Sequence, residues 1–441
     1  MQSEKISSSS ITEQTAAPAA LLVAVDSSKT GQDVVSRSLD ELEDLAGTNG
    51  FVVKGRVVQR LERPDGLTYV GSGKLLEIVE MARDMEVDYL IFDGELTPAQ
   101  TRGIAEQVDL RISDRVNVIL SIFAERARTD EGKIQVELAW LRYRLTQLTG
   151  RGVELSRLGG GIGTRGPGET KLEQDRRVIR KRMAVLRGEL RKMEGRRQRS
   201  RSLRQRREMV TAAIVGYTNA GKSTLLNKLT DSDLATGDQL FMTLDPTARR
   251  IEAGDGLSLI LVDTVGFIRD LPGFLLQAFR ATFEEAASAD LIILVCDMAD
   301  PDAAAQIEVV HHQLKDLGAG SLPFIYVLNK MDIVSSEALH QVMAVLRHEK
   351  ADRIVQVSAT TGLGIDRLKE KLAQFVKETL VEYHALIPYR EAGIVAHARE
   401  YGSVTEERYE PDHIILTGRI RKSRIGPLQA WIEEGPQRSG S

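Results

Sequence analysis

One segment constrains the fold of this chain more than any other: Gly216-Tyr217-Thr218-Asn219-Ala220-Gly221-Lys222-Ser223. It matches the phosphate-binding pattern G-x-x-x-x-G-K-[ST], and it lies between an apolar run that predicts a buried strand (210–215) and a run that predicts a helix (223–229). Glycines let several backbone N–H groups point at one phosphate, and a helix N-terminus adds positive potential. We therefore expect Lys222 to contact the outer phosphates and Ser223 to bind a magnesium ion.

Three further motifs follow the phosphate loop in order. Each ends an apolar run of strand character: Asp263-Thr264-Val265-Gly266, Asn329-Lys330-Met331-Asp332 and Ser358-Ala359-Thr360. Asp263 can hold magnesium through water, and the amide of Gly266 can meet a γ-phosphate. Asp332 can accept two N–H bonds from the guanine edge, which adenine cannot supply, and the third motif would close over the base. Together these motifs predict a guanine nucleotide site.

These motifs resemble the GTPase signature of the P-loop superfamily. That signature includes a threonine that senses the γ-phosphate, and the loop between Asp233 and Arg250 must carry it here. The candidate segment is Phe241-Met242-Thr243-Leu244-Asp245-Pro246-Thr247, in which we prefer Thr243 over Thr247. Without nucleotide this loop has little reason to order, and such coupling turns the γ-phosphate into a mechanical signal.

The predicted substrate is GTP, and the predicted cofactor is Mg²⁺. Lys222, Thr243 and Gly266 are the predicted catalytic residues, while Ser223 and Thr243 are the predicted metal ligands. The predicted nucleotide contacts are Gly216, Tyr217, Thr218, Asn219, Ala220, Gly221, Lys222, Ser223, Thr224, Phe241, Met242, Thr243, Leu244, Asp245, Asp263, Thr264, Val265, Gly266, Asn329, Lys330, Met331, Asp332, Ser358, Ala359 and Thr360.

Two positions bear on hydrolysis. Phe267 follows Gly266, where many GTPases place the glutamine that orients the attacking water, and phenylalanine has no polar group for that role. We therefore expect slow hydrolysis by the isolated chain, or a water-positioning group from elsewhere. Asn219 has two interpretations: in GTPases with such an apolar replacement an asparagine here often helps to hold K⁺, whereas a loop asparagine can also bond its own backbone.

Composition restricts the class of protein. At 441 residues, the chain is long enough for about three domains. Its single cysteine, Cys296, excludes an internal disulfide and suits a reducing cytosol, so we expect a cytoplasmic protein. No apolar stretch approaches membrane-spanning length, and residues 1–20 have the composition of a disordered tail. We expect no membrane insertion, and a monomer.

The net charge of −4 is unevenly distributed. Residues 176–207 contain 15 Lys and Arg against Glu189 and Glu194, a local balance of +13 that leaves −17 for the remainder. A solvated charged helix is one interpretation, but such faces mix signs more evenly. We favour contact with nucleic acid phosphate, by charge and shape, because the run has no aromatic side chain on which a base could stack.

Two apolar seams flank a glycine-rich segment. The first seam comprises Ile134, Leu138, Leu141, Leu145 and Leu148, and the second comprises Leu172, Ile179, Met183, Leu186, Leu190 and Met193. Such seams predict an antiparallel helical hairpin whose apolar stripes face each other. The segment between them, 159–169, is too rich in glycine to be regular. It is either a flexible, phosphate-touching loop at the hairpin tip or a simple linker.

Ahead of the hairpin, strand and helix patterns alternate. Strands are predicted at 21–25, 51–59, 89–92 and 110–112, and helices at 39–45, 73–84 and 98–107. Gly71-Ser72-Gly73-Lys74 is similar to a phosphate loop, but Leu75 stands where Ser or Thr is needed. We interpret the segment as a helix start, with nucleotide contact left as the alternative.

Several segments resemble the HflX family of GTPases: Phe123-Ala124-Glu125-Arg126-Ala127, residues 131–138, the glycine-rich residues 159–169, and residues 241–247. The resemblance runs from about Leu21 through the GTPase domain. It implies binding to the large ribosomal subunit, with the helical hairpin entering near the peptidyl transferase centre. It also implies separation of stalled ribosomes, particularly under stress, and in some members hydrolysis of ATP as well as GTP.

The sequence thus predicts a multidomain α/β protein. Its predicted parts are a disordered tail (1–20), an N-terminal α/β subdomain (21–113), an antiparallel helical hairpin with a glycine-rich tip loop (114–208), a P-loop GTPase domain (209–376) and a small C-terminal α+β domain (377–441). In the last of these, a helix is predicted at 391–401 and strands at 403–409 and 413–420.

The predicted function is that of a GTPase that alternates between GTP and GDP. It would contact rRNA of the large ribosomal subunit through the basic hairpin and act as a ribosome-splitting or rescue factor under stress. Two alternatives stay open. One is a GTPase that checks the assembly of the large subunit, and the other is an ATP-using RNA-remodelling protein with a regulatory GTPase domain.

Overall fold

The computed structural model describes residues 17–27, 32–158, 167–206, 209–230, 241, 247–254, 257–269, 272–278 and 286–433. The chain folds into two compact units. One holds a four-stranded sheet, and the other holds a six-stranded and a three-stranded sheet. The multidomain α/β class predicted from the sequence is confirmed.

The four-stranded sheet of the first unit is entirely parallel, in the order β2-β1-β3-β4. Its strands are β1 (Ala19–Asp26), β2 (Val52–Arg60), β3 (Tyr89–Phe92) and β4 (Arg111–Asp114), and its helices are α1 (Gln32–Thr48), α2 (Ser72–Asp84) and α3 (Pro98–Ala105). Parallel strands need helical crossovers, which explains the alternating pattern. Because β1 begins at Ala19, the predicted disordered tail is wrong for its last two residues.

Gly71 precedes α2, which begins at Ser72, so the phosphate-loop-like segment is a helix start as interpreted. Lys74 forms an ion pair with Glu77 one turn along the same helix, at 2.7 Å.

The helical region comprises α4 (Arg115–Arg126), α5 (Asp130–Leu158) and α6 (Pro167–Arg206). Helices α5 and α6 run antiparallel, because Arg182 donates to the Glu137 carboxylate at 2.6 and 2.8 Å while Arg176 donates to the Leu148 carbonyl at 2.9 Å. The glycine-rich segment is shorter than predicted, since α6 begins at Pro167, a residue suited to the first turn of a helix. Residues 159–166 lie outside the described residues.

The seam of α6 is as predicted at Ile179, Met183 and Leu186, which are at most 8% exposed. On α5 the most buried face is rotated from the predicted seam, since Ala139 and Tyr143 are buried with Leu138. Tyr143 donates its hydroxyl to the Asp114 carboxylate at 2.9 Å, which draws that face towards the end of β4.

The six-stranded sheet of the second unit has the order β10-β9-β8-β5-β7-β6, in which only β6 is antiparallel to its neighbour. Its elements are β5 (Val210–Gly216), α7 (Lys222–Thr230), β6 (Ala248–Gly254), β7 (Leu257–Asp263), α8 (Gly273–Ala278), β8 (Leu291–Asp297), α9 (Ala303–Asp316), β9 (Phe324–Asn329), α10 (Ser336–Val345), β10 (Ile354–Gln356) and α11 (Ile365–Thr379). The carboxyl ends of the five parallel strands therefore lie at one edge, where such sheets bind ligands.

The C-terminal sheet is antiparallel, in the order β11-β13-β12. It consists of β11 (Leu380–Pro388), β12 (Gly402–Tyr409) and β13 (His413–Arg421), with α12 (Ala392–Tyr401) between β11 and β12. The sequence did not predict β11, since it follows α11 with no intervening turn residue. Arg421 ties this sheet to the GTPase domain by an ion pair with Asp290 and a 3.0 Å hydrogen bond to the Met209 carbonyl.

Candidate guanine nucleotide site

The phosphate loop joins the end of β5 to the start of α7, as the sequence predicts. Asn219 and Gly221 have φ angles of +62° and +87°, a left-handed backbone that glycine adopts most readily. A Cβ on Gly221 would lie 2.3 Å from the Asn329 side-chain nitrogen, so a larger residue would not fit. The loop is therefore curved in a way that the glycines permit and that suits backbone N–H groups around a phosphate.

Lys222 is buried at the first turn of α7. Its Nζ donates to the carbonyls of Gly216 and Tyr217, at 3.1 and 2.6 Å. Burial lowers the pKa of Lys222 to about 8, and the nearby carboxylate of Asp263 acts in the opposite direction. A charge desolvated in this way is stabilised by an anionic ligand.

Asn329 holds three of the predicted motifs together. Its Nδ2 donates to the Ala220 carbonyl in the phosphate loop at 2.9 Å, and its Oδ1 accepts from the Ala359 amide at 2.9 Å. The side chain is 2% exposed, so these bonds lie away from water. The loops after β5, β9 and β10 are thereby fixed next to one another.

Beside Asn329, two charged side chains have different environments. Lys330, with a φ of +62°, donates its Nζ to the Asp297 carboxylate at 2.6 Å. Asp332 is exposed. Ser358 is fully buried and its hydroxyl accepts from the Thr361 amide at 3.2 Å, so it shapes the loop over this edge.

The motif after β7 is almost completely buried. Asp263 is 1% exposed and Thr264 is 0% exposed. The Thr264 hydroxyl donates to the Ile214 carbonyl at 2.7 Å, which joins β7 to β5. A Cβ on Gly266 would lie 3.0 Å from Lys222 Nζ, so this glycine reaches the ammonium group.

Part of the predicted site lies outside the described residues: Met242, Thr243, Leu244 and Asp245. Phe241, just before them, is 4% exposed and has a φ of +56°. Thr247, the alternative to Thr243, is exposed, and its carbonyl accepts from the Asp263 amide at 3.0 Å.

The sequence did not predict a set of contacts between the phosphate loop and the segment after Gly266. Phe267 forms a parallel bridge with Tyr217, and Arg269 donates its amide to the Tyr217 hydroxyl at 2.6 Å. The Arg269 guanidinium also bonds Asp302, immediately before α9, at 3.2 Å. Tyr217 occupies a variable position of the phosphate-loop pattern, so the pattern carries no signal for these contacts.

Three family profiles match consecutive parts of the chain. Residues 36–124 match "GTP-binding GTPase N-terminal", residues 126–204 match "GTP-binding GTPase Middle Region", and residues 211–330 match "50S ribosome-binding GTPase". The GTPase HflX of Lacrimispora saccharolytica is 44% identical over 409 residues, which cover 92% of this chain and 95% of that protein. The GTPase HflX of Escherichia coli K12 is 38% identical over 381 residues, 86% of this chain and 89% of that protein.

The chain belongs to the HflX family of GTPases. Among solved structures, the SsGBP and GDP complex matches this HflX-family chain at 24% identity with a TM-score of 0.48, covering 82% of this chain and 99% of that one. The resemblance predicted from the sequence is confirmed over nearly the whole chain.

Two further observations concern the described part of this HflX-family chain. It contains no cluster of three or more His, Cys, Asp or Glu side chains arranged to hold a metal ion. It also contains no helix long and apolar enough to cross a membrane.

Proposed function

We propose that this chain hydrolyses GTP at the edge of the six-stranded sheet and uses the nucleotide state to control binding to the large ribosomal subunit. The observation that carries the proposal is the convergence of the phosphate loop, the Asn329 segment and the Ser358 segment through the two hydrogen bonds of Asn329. That arrangement leaves Asp332 exposed beside the buried loops, where a guanine base can reach it.

Within this site the roles follow from position. Lys222 would stabilise the β- and γ-phosphates, because its ammonium group is already held at the phosphate loop by backbone carbonyls. Gly266 would meet the γ-phosphate through its amide. Thr243 would sense that phosphate from the loop ahead of β6.

The residues present fit a magnesium ion. Ser223, the second residue of α7, is half-buried and carries a hydroxyl oxygen of the kind that Mg²⁺ takes. Asp263 ends β7 with a buried carboxylate that would hold the ion through water. Thr243 would supply a third oxygen. When bound, the ion would neutralise charge on the β- and γ-phosphates. Asn219, exposed on the phosphate loop, would be available to a K⁺ ion.

Helix α6 supports an rRNA contact. Its apolar seam is buried, whereas Arg177, Lys181, Arg187, Arg191 and Lys192 are exposed. Within the described residues none of these five forms an ion pair, so their charges are available to phosphate. Repeated Lys and Arg on one helix bind the RNA backbone by charge, without reading bases.

We infer a cycle in which the GTP-bound chain docks on the ribosome through the basic hairpin and strains a neighbouring contact, which splits stalled ribosomes under stress. Binding energy would do the mechanical work, and hydrolysis would lower the affinity so that the factor leaves. The chain would act as a cytoplasmic monomer.

The first test is GTP hydrolysis by the purified chain, with and without large ribosomal subunits. We expect slow turnover alone, since Phe267 cannot orient water, and strong stimulation by the subunits. Ordinary turnover that large subunits do not change would contradict a ribosome-triggered cycle. Sedimentation of stalled ribosomes with GTP then tests splitting, and sedimentation with immature large subunits tests the assembly role.

The base assignment is tested by Asp332→Asn. The amide replaces one acceptor with a donor, so preference should move from GTP towards xanthosine triphosphate. Competition binding of both nucleotides measures this shift, with Asp316→Asn, an exposed carboxylate on α9, as control. Retained GTP preference would exclude Asp332 as the residue that reads the base.

The rRNA contact is tested by reversing charge at Arg187, Arg191 and Lys192. Ribosome affinity should fall, and the slope of log affinity against log salt concentration should become shallower by the amount expected for about three lost phosphate contacts. GTP affinity should stay the same. The control reverses three exposed charges on the GTPase domain: Lys315, Lys350 and Arg367. An unchanged salt slope in the α6 variant would show that α6 is only a solvated face.

A further inference from the structure

The segment after Gly266 is paired with the phosphate loop beyond the ends of β5 and β7. The Phe267 amide donates to the Gly216 carbonyl at 3.0 Å, and the Thr218 amide donates to the Phe267 carbonyl at 2.8 Å. These two bonds extend the parallel sheet by one residue pair into the loop that should bind phosphate. Phe267 is 1% exposed and Ile268 is 0% exposed, so the paired segment is also packed.

This pairing brings the Gly266 backbone against the ammonium group of Lys222. A Cβ on Gly266 would lie 3.0 Å from Lys222 Nζ and 2.9 Å from Thr218 Cγ2. The outermost phosphate of GTP has to lie beside Lys222 Nζ and to accept from the Gly266 amide. A terminal phosphate therefore competes with the backbone of Gly266 for the same space, whereas GDP has no phosphate there.

Two side-chain contacts hold the paired segment in place. The Tyr217 hydroxyl accepts the Arg269 amide at 2.6 Å, and the Arg269 guanidinium bonds the Asp302 carboxylate at 3.2 Å. The Arg269 and Asp302 side chains are 22% and 13% exposed, so water screens the pair only partly. We call Tyr217, Arg269 and Asp302 the latch.

We propose that the latch sets the preference of the site between GDP and GTP, by holding the segment after Gly266 in the place of the γ-phosphate. GTP binds only after the Phe267 pairing opens, so its affinity is reduced by the free energy that the latch contributes to the paired form. GDP binds with the pairing intact. This inference rests on the proposed guanine nucleotide site. It adds specificity-determining roles for Arg269 and Asp302, which lie outside the motifs of that site, and for the side-chain hydroxyl of Tyr217.

The latch also links the nucleotide to α9. Asp302 stands immediately before the first residue of α9 and makes no side-chain capping bond to that helix, while its carboxylate accepts from Arg269. Opening of the latch would release the start of α9 from the segment after β7. A γ-phosphate would thereby be reported to a helix that contains none of the predicted nucleotide contacts.

The test measures the affinities of the full chain for GDP and for a non-hydrolysable GTP analogue, in Mg²⁺ buffer, by calorimetry. Asp302→Asn removes the charge that Arg269 pairs with and leaves the helix start otherwise unchanged. The ratio of analogue affinity to GDP affinity should rise about three- to tenfold, the range for one net hydrogen bond or one partly screened ion pair. Tyr217→Phe, which removes the other acceptor, should raise the same ratio.

Two controls match these changes. Asp316→Asn makes the same charge change at the far end of α9, where Asp316 faces His312, and Tyr326→Phe removes a tyrosine hydroxyl that bonds His311. Neither should move the ratio. Hydrogen exchange at the amides of Thr218 and Phe267 gives a second readout, since both amides should exchange faster in the latch variants.

The outcomes separate the latch from the nucleotide site. If wild type binds both nucleotides and neither latch variant raises the ratio, the latch proposal is overturned and the site stands. If wild type binds neither nucleotide, the proposed site itself fails. If one latch variant does not fold, the other decides, because the two substitutions act on different contacts of Arg269.

Discussion

The four-stranded sheet and the six-stranded sheet both carry polar residues at the carboxyl ends of parallel strands, but the partners of those residues differ. In the four-stranded sheet, Arg115 follows β4 and pairs with Asp93 after β3, at 2.8 Å, and with Glu41 on α1. In the six-stranded sheet, Lys222 is bonded to two carbonyls of its own loop, and Asp332 is exposed.

The two edges differ in how a buried cation, Arg115 in one and Lys222 in the other, is neutralised within its own domain. Arg115, Glu41 and Asp93 are all buried or nearly so, with side chains 4%, 14% and 7% exposed, and the arginine is paired with both carboxylates. Asp114 likewise accepts from Leu96 and Tyr143. An edge of this kind stabilises a fold. At the GTPase edge, in contrast, Lys222 is hydrogen-bonded to carbonyls, and the carboxylate of Asp263 offsets only part of the effect of its burial. The same sheet architecture therefore serves different purposes.

The contacts at the edge of the four-stranded sheet argue against the ATP-using alternative. That alternative needs an anion-binding edge in the N-terminal subdomain, but the buried cation of that edge is paired with carboxylates of its own domain. Lys74, in the segment that is similar to a phosphate loop, is paired with Glu77. These contacts favour the GTPase domain as the nucleotide-binding part of the chain.

The largest expected effect is that of Arg115→Ala. The substitution would leave two carboxylates without their cation in a buried place, at a cost of about 3–5 kcal/mol in the free energy of unfolding. Hydrogen exchange of the amides in β1 and β3 measures it locally. Arg56→Ala is the control. Arg56 is about one-third exposed and its partners Asp40 and Glu43 are more exposed, and such a pair contributes at most about 1 kcal/mol.

Lys222→Met should reduce activity without reducing stability, the reverse of what is expected for Arg115→Ala. GTP hydrolysis should fall about 10²–10³-fold, because the phosphates lose their main cation. The stability of the nucleotide-free chain should not fall, since methionine removes a desolvated charge and keeps the buried volume. Turnover and thermal unfolding measure the two effects. A large loss of stability without nucleotide would show that this edge is structural too, and the comparison would fail.

Tyr143→Phe tests a smaller contact at the N-terminal edge. The Asp114 carboxylate would lose one donor in a buried place, which should lower the local stability by about 1–2 kcal/mol. Exchange of the amides around Tyr143 measures this loss. Tyr89→Phe in β3 removes an exposed hydroxyl that bonds Arg111, and it should change stability much less. Equal effects would mean that burial of Asp114 does not matter.

The smallest effect is a dependence on pH. Burial raises the pKa of Asp114 from its ordinary value of 3.8, although hydrogen bonds from Leu96, Asn117 and Tyr143 oppose the rise. Between 3.8 and the raised value the folded state binds more protons than the unfolded state, so the free energy of unfolding should fall as pH rises through this window. Asp114→Asn should flatten that slope, measured by denaturant unfolding of the chain at several pH values. A slope that persists in the variant would assign it to other groups.

Much of the fold follows from local patterns. The four strands and three helices of the N-terminal subdomain lie within a few residues of the predicted ranges, except that α1 extends beyond its prediction at both ends. Apolar runs mark β1 and β3, which are buried along nearly their whole length, as strands inside a parallel sheet are. Strand β11 was missed because its alternating burial follows α11 directly, so no turn signal separates them.

The sequence predicted which segments form the nucleotide motifs. It did not predict the hydrogen bonds that hold these segments together in the fold. Glycines and a lysine after a buried strand determine a phosphate loop locally, since backbone geometry and a helix start supply its donors. Hydrogen bonds between residues far apart in sequence carry no local signal. The bonds of Asn329 to Ala220 and of Arg421 to Met209 are of this kind.

By itself, the sequence determined the class of fold, the order of the motifs, the charge of α6 and the resemblance to HflX, because each of these is written in residue type and spacing. Only the tertiary structure decided that Arg115 is neutralised within its own domain, that Asn329 joins three loops, and that Tyr217 and Asp302 both bond Arg269. These contacts depend on how separate strands align at one edge, and that alignment is a property of the packed sheet.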